Sequence, residues 1–344
     1  MIINQQALVT FKKISDIGGN GQNSKVFLSH DVNLNADIAL KEVSKKSDDY
    51  KTFFEEARNL YLSSHPNIVQ INYACEDNDN VYIALPYYKN GSIKEKISNN
   101  FLTVREIIRY SIHILTGLHN IHSKGLIHFD IKPDNILISD RDEAMISDFG
   151  LAKVIDPILN TATPPKFYSK QLPPEYFSYD PKTFKGFTYK YDIYQVGLTM
   201  YRMCVGNEKF DLQLKAFKTN IDFAQAVLKG NFPDRKAYPI HIPKKLSDAI
   251  NKCLKVDLAT RPDSALEVIN KIADIDEKLL DWKYKNDGTY DIWRKDNPER
   301  VLKVCNKGIS EAYSLSESSQ KRKIMAYCKK GIQSEDIISF LTKY

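Results

Sequence analysis

The chain has 344 residues, and its 49 basic and 43 acidic side chains give a formal net charge of +6, which is mild for this length. Hydrophobic residues make up 42% and charged residues 27% of the sequence, as in ordinary globular proteins. These values exclude a collagenous or intrinsically disordered chain, and they lack the strong basic excess of a nucleic-acid-binding domain. The length suffices for one large domain with an accessory unit or for two ordinary domains.

The five cysteines are scattered, odd in number and without a Cys-x-x-Cys pair, which indicates neither a disulfide framework nor a zinc site. They favour a reducing, cytoplasmic compartment. Residues 1–11 lack the basic and apolar regions of a secretory signal, and no apolar run approaches the length that crosses a bilayer. We therefore expect no membrane partner.

Residues 11–85 have the pattern of a small sheet, because short apolar segments alternate with Gly, Asn and Asp. The predicted elements are three strands and one helix, at 24–30, 37–42, 81–85 and 47–63. In the helix, Phe53, Ala57 and Leu60 recur at helical spacing.

Helices dominate from residue 103 onward. The first is predicted at 103–123, where Thr103 caps its start and Gly125 follows its end. The other predicted elements are four helices and two strands, at 191–205, 223–229, 244–256, 263–274, 135–139 and 144–147.

Residues 128–135 read HFDIKPDN, and residues 148–150 read DFG. Transfer of a phosphoryl group needs a carboxylate that orients the attacking hydroxyl and oxygen ligands that hold Mg²⁺ against the nucleotide. Asp130, Asn135 and Asp148 supply these groups. The two segments resemble the catalytic loop and the metal-binding motif of the eukaryotic-type protein kinases.

The resemblance implies an α+β, bilobal fold, with a small antiparallel sheet carrying one helix and a larger helical lobe. It implies Asp130 as the catalytic base and Asn135 and Asp148 as ligands of Mg²⁺, for which Mn²⁺ can substitute. Lys132 would contact the transferred phosphate, as in the serine/threonine form of the family. The expected reaction is phosphorylation of protein substrates by ATP, including this chain itself.

A glycine-rich segment, residues 17–26, resembles the family's phosphate-binding loop, with Gly19 and Gly21 in register and Ser24 in place of the third glycine. Glycines let backbone N–H groups approach the phosphates closely. Taken alone, a glycine pair between strands is ordinarily just a turn.

Residues 38–41, Ile-Ala-Leu-Lys, match the family's V-A-I-K strand. By this resemblance Lys41 binds the α- and β-phosphates and pairs with a helix glutamate. Glu56 is the candidate and Glu55 its rival, and only one of them can face Lys41 because neighbours on a helix point about 100° apart. The alternative is that both are solvated surface side chains.

The register of these motifs predicts an adenine site with apolar walls. Its predicted residues are Val26, Ala39 and Leu137 as walls, Leu85 as gatekeeper, and Tyr87 in a hinge at 86–91 that begins with Pro86. A row of apolar residues more often belongs to the hydrophobic core than to a ligand site. These roles therefore depend on the register of the motifs. Proline at the hinge removes one backbone N–H that adenine would otherwise use.

Further along the chain, Glu175 in a Pro-Pro-Glu segment and Arg261 resemble the ion pair that supports the peptide-binding platform of protein kinases. Kinases of small molecules usually lack this pair. His128 is expected to pack beside Phe149 rather than to transfer a proton.

Phe129 occupies the position at which many kinases carry an arginine that a phosphorylated activation segment contacts. We expect activity without such phosphorylation, although Thr161, Thr163 and Ser169 remain available for modification. Tyr168 replaces a threonine expected near the substrate site.

These motifs place a kinase domain at 11–274, with a small lobe at 11–85 and a large lobe at 92–274. Residues 275–344 lie outside the resemblance and are interpreted as a helical accessory domain, with apolar positions at 301, 302 and 304 and again at 337, 338, 340 and 341. It is a candidate for regulatory partners or self-association. The basic residues at 321–323 and 329–330 of this domain are interpreted as a solvated face in preference to a nucleic-acid-binding surface.

Two other functions compete with this interpretation. A pseudokinase would keep the fold without catalysis, but such proteins typically lose at least one member of the set that this chain retains: Lys41, Glu56, Asp130, Asn135 and Asp148. A small-molecule kinase is disfavoured by Glu175 and Arg261.

Overall fold

The computed structural model describes residues 8–18, 24–47, 50–99, 102–167, 171–275, 278–296, 298–315 and 320–344. Five antiparallel strands form the sheet of the small lobe, in the order β1-β2-β3-β5-β4. Their bounds are β1 Phe11–Asp16, β2 Lys25–Asp31, β3 Ala36–Ser44, β4 Tyr73–Glu76 and β5 Asn80–Pro86. The predicted strands correspond to β2, β3 and β5, and the predicted helix is α1, Tyr50–Leu62.

Side chains alternate between the two faces of this sheet. On one face, Val43, Val81 and Ile83 pack against Phe53 and Ala57 of α1. The opposite face carries a separate cluster that contains Ile38, Leu40, Tyr82 and Ala84. Because Lys41 is two residues from Val43 on β3, α1 covers the face from which Lys41 projects.

The large lobe is mainly helical. Its helices are α2 Ile93–Asn99, α3 Val104–Ser123, α4 Pro174–Ser178, α5 Lys190–Val205, α6 Asn207–Lys215, α7 Asn220–Leu228, α8 Lys244–Cys253 and α9 Ala265–Ile272. The five predicted helices are α3, α5, α7, α8 and α9, while α2, α4 and α6 were not predicted.

Helix α3 is the central helix of this lobe. At its start the Thr103 hydroxyl accepts a hydrogen bond from the backbone N–H of Glu106, and the Glu106 carboxylate accepts one from the backbone N–H of Thr103. This capping box satisfies N–H groups that have no partner inside the helix. Past its end, Gly125 has a φ of +73°, a conformation that favours glycine. Both predicted boundary signals are therefore confirmed.

Two short two-stranded sheets follow α3 and shape the site. Strand β6, Leu126–Ile127, pairs with β9, Lys153–Val154, and β7, Ile136–Ile138, pairs with β8, Ala144–Ile146. Asn135 and Ser147 flank the β7–β8 hairpin, and both the backbone N–H and the hydroxyl of Ser147 donate to the Asn135 carbonyl at 2.9 Å. The hairpin thus brings Asn135 beside the segment that contains Asp148.

The C-terminal unit, residues 278–344, is a sheet with one helix, so the prediction of a helical domain is wrong for most of it. Its antiparallel strands are β10 Lys283–Asn286, β11 Tyr290–Lys295, β12 Arg300–Cys305, β13 Ser310–Leu315 and β14 Lys321–Lys323. Only the last predicted helical stretch is confirmed, as α10, Ser334–Lys343.

The error came from apolar neighbours on β12. Leu302 and Val304 belong to the core that contains α10, whereas Val301 is buried on the opposite face of the sheet. Adjacent apolar residues of this kind break the period-two pattern of a half-buried strand.

The C-terminal unit is docked on the large lobe. The backbone N–H of Arg105 in α3 donates to the Leu280 carbonyl, and its guanidinium forms a two-pronged ion pair with Asp281. The indole N–H of Trp293 donates to Nδ1 of His241 at 3.2 Å. Among the described residues, no helix has the length and apolar character needed to cross a membrane.

Candidate active site

Lys41 lies at the centre of an ion-pair network between the lobes. Its Nζ is 2.6 and 2.9 Å from the two carboxylate oxygens of Glu56 on α1. It is also 3.2 Å from Oδ1 of Asp148. The structure therefore brings together the lysine, the helix glutamate and the DFG aspartate that the sequence singled out.

The two neighbouring glutamates on α1 have different partners. Glu56 binds Lys41, whereas both oxygens of Glu55 lie 2.8 to 2.9 Å from Nζ of Lys153 on β9. The prediction that only one of them faces Lys41 is confirmed, and the rival is also paired.

Charges within the network shift its proton equilibria. Burial favours the neutral amine of Lys41, but the negative charges of Asp148 and Glu56 outweigh burial and raise its pKa. The same interaction with Lys41 lowers the pKa of Asp148 to about 2. Burial raises the pKa of Glu56, and the Lys41 ammonium opposes that rise. Lys41 and Asp148 are thus charged at neutral pH.

Asp130 is buried in the catalytic loop with two donors on its carboxylate. Nζ of Lys132 lies 2.7 and 2.9 Å from its oxygens, and Nδ2 of Asn135 lies 2.7 Å from Oδ2. Burial raises the pKa of Asp130, and the Lys132 ammonium acts in the opposite direction. Such a carboxylate is suited to accept a proton from a nearby hydroxyl.

Helix α5 holds the catalytic loop by its backbone. The Asp192 carboxylate accepts hydrogen bonds from the N–H groups of His128 and Phe129, each at 2.8 Å. Three residues later on the same helix face, Gln195 accepts from the N–H of Ile131 and donates to the carbonyl of Phe129. These buried hydrogen bonds fix the backbone on both sides of Asp130, so the fold itself determines where Asp130 lies.

Asp192 and Gln195 were not predicted as site residues. The signal in the sequence is the spacing of the two polar residues, three positions apart among apolar neighbours such as Ile193 and Val196. Their partners, more than 60 residues away in the chain, are visible only in the structure.

Asn135 and Asp148 fit a divalent cation. Asp148 is ionised, and Nδ2 of Asn135 is used by the backbone carbonyl and carboxylate of Asp130, which leaves its amide oxygen for a metal. Oxygen ligands of this kind suit Mg²⁺, which is usually bound by one or two protein groups together with phosphates and water. Accordingly, no group of three or more His, Cys, Asp and Glu side chains forms a metal cage in the described parts of the chain.

The predicted nucleotide-facing residues share one face of the small sheet. Val26 pairs with Lys41 across β2 and β3, and Ala39 pairs with Leu85 across β3 and β5. Directly paired residues point to the same face, so all four project toward α1 and the large lobe. Tyr87 is partly exposed beyond β5, and Leu137 is half-buried on β7.

Gly19 and Gly21 lie outside the described residues. The preceding Gly18 is described, and its N–H donates to the carbonyl of Val26. A Cβ at Gly18 would lie 2.8 Å from Cβ of Val26, so the start of the loop requires glycine for close approach.

Glu175 and Arg261 form the predicted ion pair, with both guanidinium nitrogens 2.8 to 2.9 Å from the carboxylate. The guanidinium also donates to the carbonyls of Lys190 and Lys255. A fully buried arginine with this many partners fixes α4 to the loop before α9.

Phe129 is buried in an aromatic cluster. It has a φ of +66° and packs edge-on against Tyr191 at 4.9 Å and Phe187 at 6.3 Å between ring centroids. Leu151, Ala162 and Leu172, which belong to the segment between Asp148 and Glu175, are part of the same cluster. His128 contacts Phe149 edge-on at 4.9 Å, as expected.

Comparisons with known proteins agree with this geometry. A family model described as the protein kinase domain matches residues 11–272. The probable serine/threonine-protein kinase samkA of Dictyostelium discoideum is 36% identical over 179 residues, which cover 50% of this chain and 27% of that protein. The serine/threonine-protein kinase PrkC of Bacillus subtilis is 27% identical over 272 residues, or 77% of this chain and 40% of that protein.

A third relative, 3-phosphoinositide-dependent protein kinase 1 of Arabidopsis thaliana, is 28% identical over 266 residues, or 73% of this chain and 51% of that protein. The chain therefore aligns with about half or less of each of these relatives. Since the family model covers most of the chain and the two-lobed fold accompanies it, the chain belongs to the protein kinase family.

Proposed function

We propose that this chain is a protein serine/threonine kinase that transfers the γ-phosphoryl group of ATP to hydroxyl groups of proteins, itself included. The observation that carries this proposal is a single site in which two groups of polar residues are each held in place by hydrogen bonds and ion pairs. Each group forms one half of the site. Asp130 is held by Lys132 and Asn135, and Lys41 is held between Glu56 and Asp148. The first half prepares the attacking hydroxyl, and the second binds the phosphates.

In this mechanism Asp130 orients the attacking hydroxyl and accepts its hydrogen, and Lys132 stabilises negative charge on the transferred group. Lys41 binds the α- and β-phosphates in a position set by Glu56. Asn135 and Asp148 would hold Mg²⁺, or Mn²⁺ in its place, and the ion would neutralise negative charge on the nucleotide's phosphates. The predicted adenine site and glycine loop complete nucleotide binding: Val26, Ala39, Leu85, Tyr87, Leu137, Gly19 and Gly21.

Two observations bear on the competing functions. A pseudokinase is disfavoured because the retained polar residues are in mutual contact rather than scattered. A small-molecule kinase is disfavoured because the buried Arg261 binds Glu175 and so supports the surface next to the activation segment. The printed names of the relatives also favour serine and threonine as acceptors.

An assay of acceptor class tests this proposal. The protein is incubated with Mg²⁺ and labelled ATP, with and without a generic protein substrate, and labelled amino acids are identified after hydrolysis. We expect label on serine and threonine in wild type and none with Asp148→Asn. No labelled protein of any kind, or label on tyrosine alone, contradicts the proposal.

We further propose that the activation segment needs no phosphate. Where a phosphate-binding arginine is expected, the Phe129 ring packs among Leu151, Ala162 and Leu172 of that segment. Burying a phenylalanine contributes about 1.5–3 kcal/mol, which is enough to favour one arrangement of the segment strongly.

The matching test replaces Thr161, Thr163 and Ser169 by alanine together. We expect activity within about threefold of wild type. The described contacts of Phe129 with the activation segment are apolar, so they do not depend on a phosphate at these three residues. Activity reduced to the level of Asp148→Asn would show that a phosphate is required.

The remaining proposals concern location and partners. All five cysteines are unpaired, which suits a reducing, cytoplasmic compartment. The C-terminal unit is proposed to serve regulatory partners or self-association. We do not include nucleic acid among the partners.

A further inference from the structure

Helix α1 is tied to the start of the activation segment by contacts that phosphoryl transfer itself does not use. The carboxylate of Glu55 holds Nζ of Lys153 with both oxygens, at 2.8 and 2.9 Å. One turn later, Nδ2 of Asn59 donates to the carbonyl of Ala152 at 3.4 Å, in a buried position. Glu55 and Asn59 are four residues apart and share one face of the helix.

The buried apolar residues of α1 pack against both lobes, with Leu60 in the main core. Phe53 and Ala57 pack against the sheet through apolar contacts, which have no preferred direction. Glu56, about 100° around the helix from Glu55, must nevertheless reach Lys41 with both oxygens. Control of kinase activity commonly acts through the position of this helix. A directional contact on a second face therefore adds a restraint on the helix rotation that places Glu56.

We propose that Glu55 and Lys153, assisted by Asn59 and Ala152, form a latch that sets the rotation of α1 and thereby positions Glu56 against Lys41. The latch joins α1 to β9, two residues after Leu151 of the Phe129 cluster. The Glu55 carboxylate thus links the start of the activation segment to α1, the helix that carries Glu56. Glu55 and Lys153 are positioning residues. This inference rests on the proposed kinase function only for its activity measurement.

The size of the expected effect follows from solvent exposure. The side chains of Lys153 and Glu55 are 25% and 43% exposed, so water and salt screen the pair partly. Loss of the latch should therefore lower activity several-fold without abolishing it.

A charge-swap series tests the latch. Glu55→Lys and Lys153→Glu each replace the attraction by repulsion, and the double variant restores an ion pair with reversed polarity. We expect kcat for protein phosphorylation to fall about three- to tenfold in each single variant, and the double variant to recover at least half of the loss. The matched control is the equally short pair Lys244–Asp248 on α8, where the same swap should change nothing.

Backbone hydrogen exchange of residues 50–62 gives a measurement that needs no turnover. We expect faster exchange in both single variants and a return toward wild type in the double variant. Unchanged exchange and kcat in the single variants, or a double variant as impaired as the worse single one, would overturn the latch. If wild type itself transferred no phosphate, the proposed function would fail, and the exchange data would still decide on the latch.

Discussion

At the scale of single residues, two opposing influences act on the pKa of Asp130, the proposed catalytic base. Burial raises the pKa of Asp130, and the adjacent Lys132 ammonium lowers it. A general base works only when it is deprotonated, so the acid limb of the pH–rate profile reports this balance.

Replacing Lys132 by methionine should move that acid limb to higher pH. Without the ammonium, the largest influence that lowers the pKa of Asp130 is lost, so its pKa rises further and the base is protonated at a higher pH than in wild type. We expect kcat at neutral pH to fall about tenfold or more, because charge stabilisation is lost as well. The measurement is kcat/KM across pH 5–8.

The control is Lys94→Met, which removes a lysine paired with Asp134 in the same loop and should leave the limb unchanged. A limb that does not move with Lys132→Met would mean that Lys132 does not control the charge of Asp130.

Much of the site was predictable from sequence because its chemistry is concentrated in short segments. The contact of Lys41 with Glu56 and that of Glu175 with Arg261 followed from motifs. The packing of Phe129 against Phe187 was not predictable, since contacts across 58 residues depend on the fold and leave no periodic pattern.

At the scale of elements, the helices that were predicted best have both periodicity and a cap. Helix α3 combines the Thr103–Glu106 capping box with a fully buried stripe that includes Ile107, Ile114 and Leu118. Local and tertiary signals agree there, so the helix follows from its own sequence.

Thr103→Ala should therefore lower the free energy of unfolding by about 1 kcal/mol, because it leaves the N–H of Glu106 without its acceptor. Urea denaturation followed by circular dichroism measures this change. Thr103→Ser keeps the hydroxyl and should lose less than half as much. Equal losses in the two variants would show that the methyl group, and not the cap, is responsible.

The sheet of the C-terminal unit shows where sequence patterns fail. Strands β10 and β14 have mostly exposed side chains, and β12 is apolar on both faces, so none of the three shows clean alternation. The register of these strands is set by pairing with the strands next to them in the chain. It is also set by Trp282 and Trp293, which are buried in the shared core. The fold of this unit is a property of its tertiary contacts.

At the scale of the whole molecule, His241 joins the large lobe to the C-terminal unit. It accepts a hydrogen bond from Trp293 and lies 5.2 Å from the ring of Tyr284, between centroids. Burial lowers its pKa to about 3, so the imidazole is neutral in the folded protein.

Mild acid should weaken this docking. The unfolded chain binds a proton at His241 near pH 6.5, and the folded chain does so only near pH 3. The stability that neutral His241 contributes is therefore fully present above pH 6.5. Below pH 6.5 the free energy of unfolding falls by about 1.4 kcal/mol for each pH unit. Urea denaturation at pH 7 and pH 5 measures the loss. In His241→Asn, which keeps an acceptor for Trp293, this part of the pH dependence should disappear; an identical dependence would contradict the assignment.

The measurement that tests the central claim most directly is the rate of phosphoryl transfer to a protein substrate by Asp130→Asn beside wild type. The substitution keeps the shape of the side chain and removes the charge that accepts the hydroxyl proton. We predict a loss of roughly 10²–10⁴-fold in kcat with nucleotide binding retained. Equal rates in the two proteins would contradict Asp130 as the catalytic base.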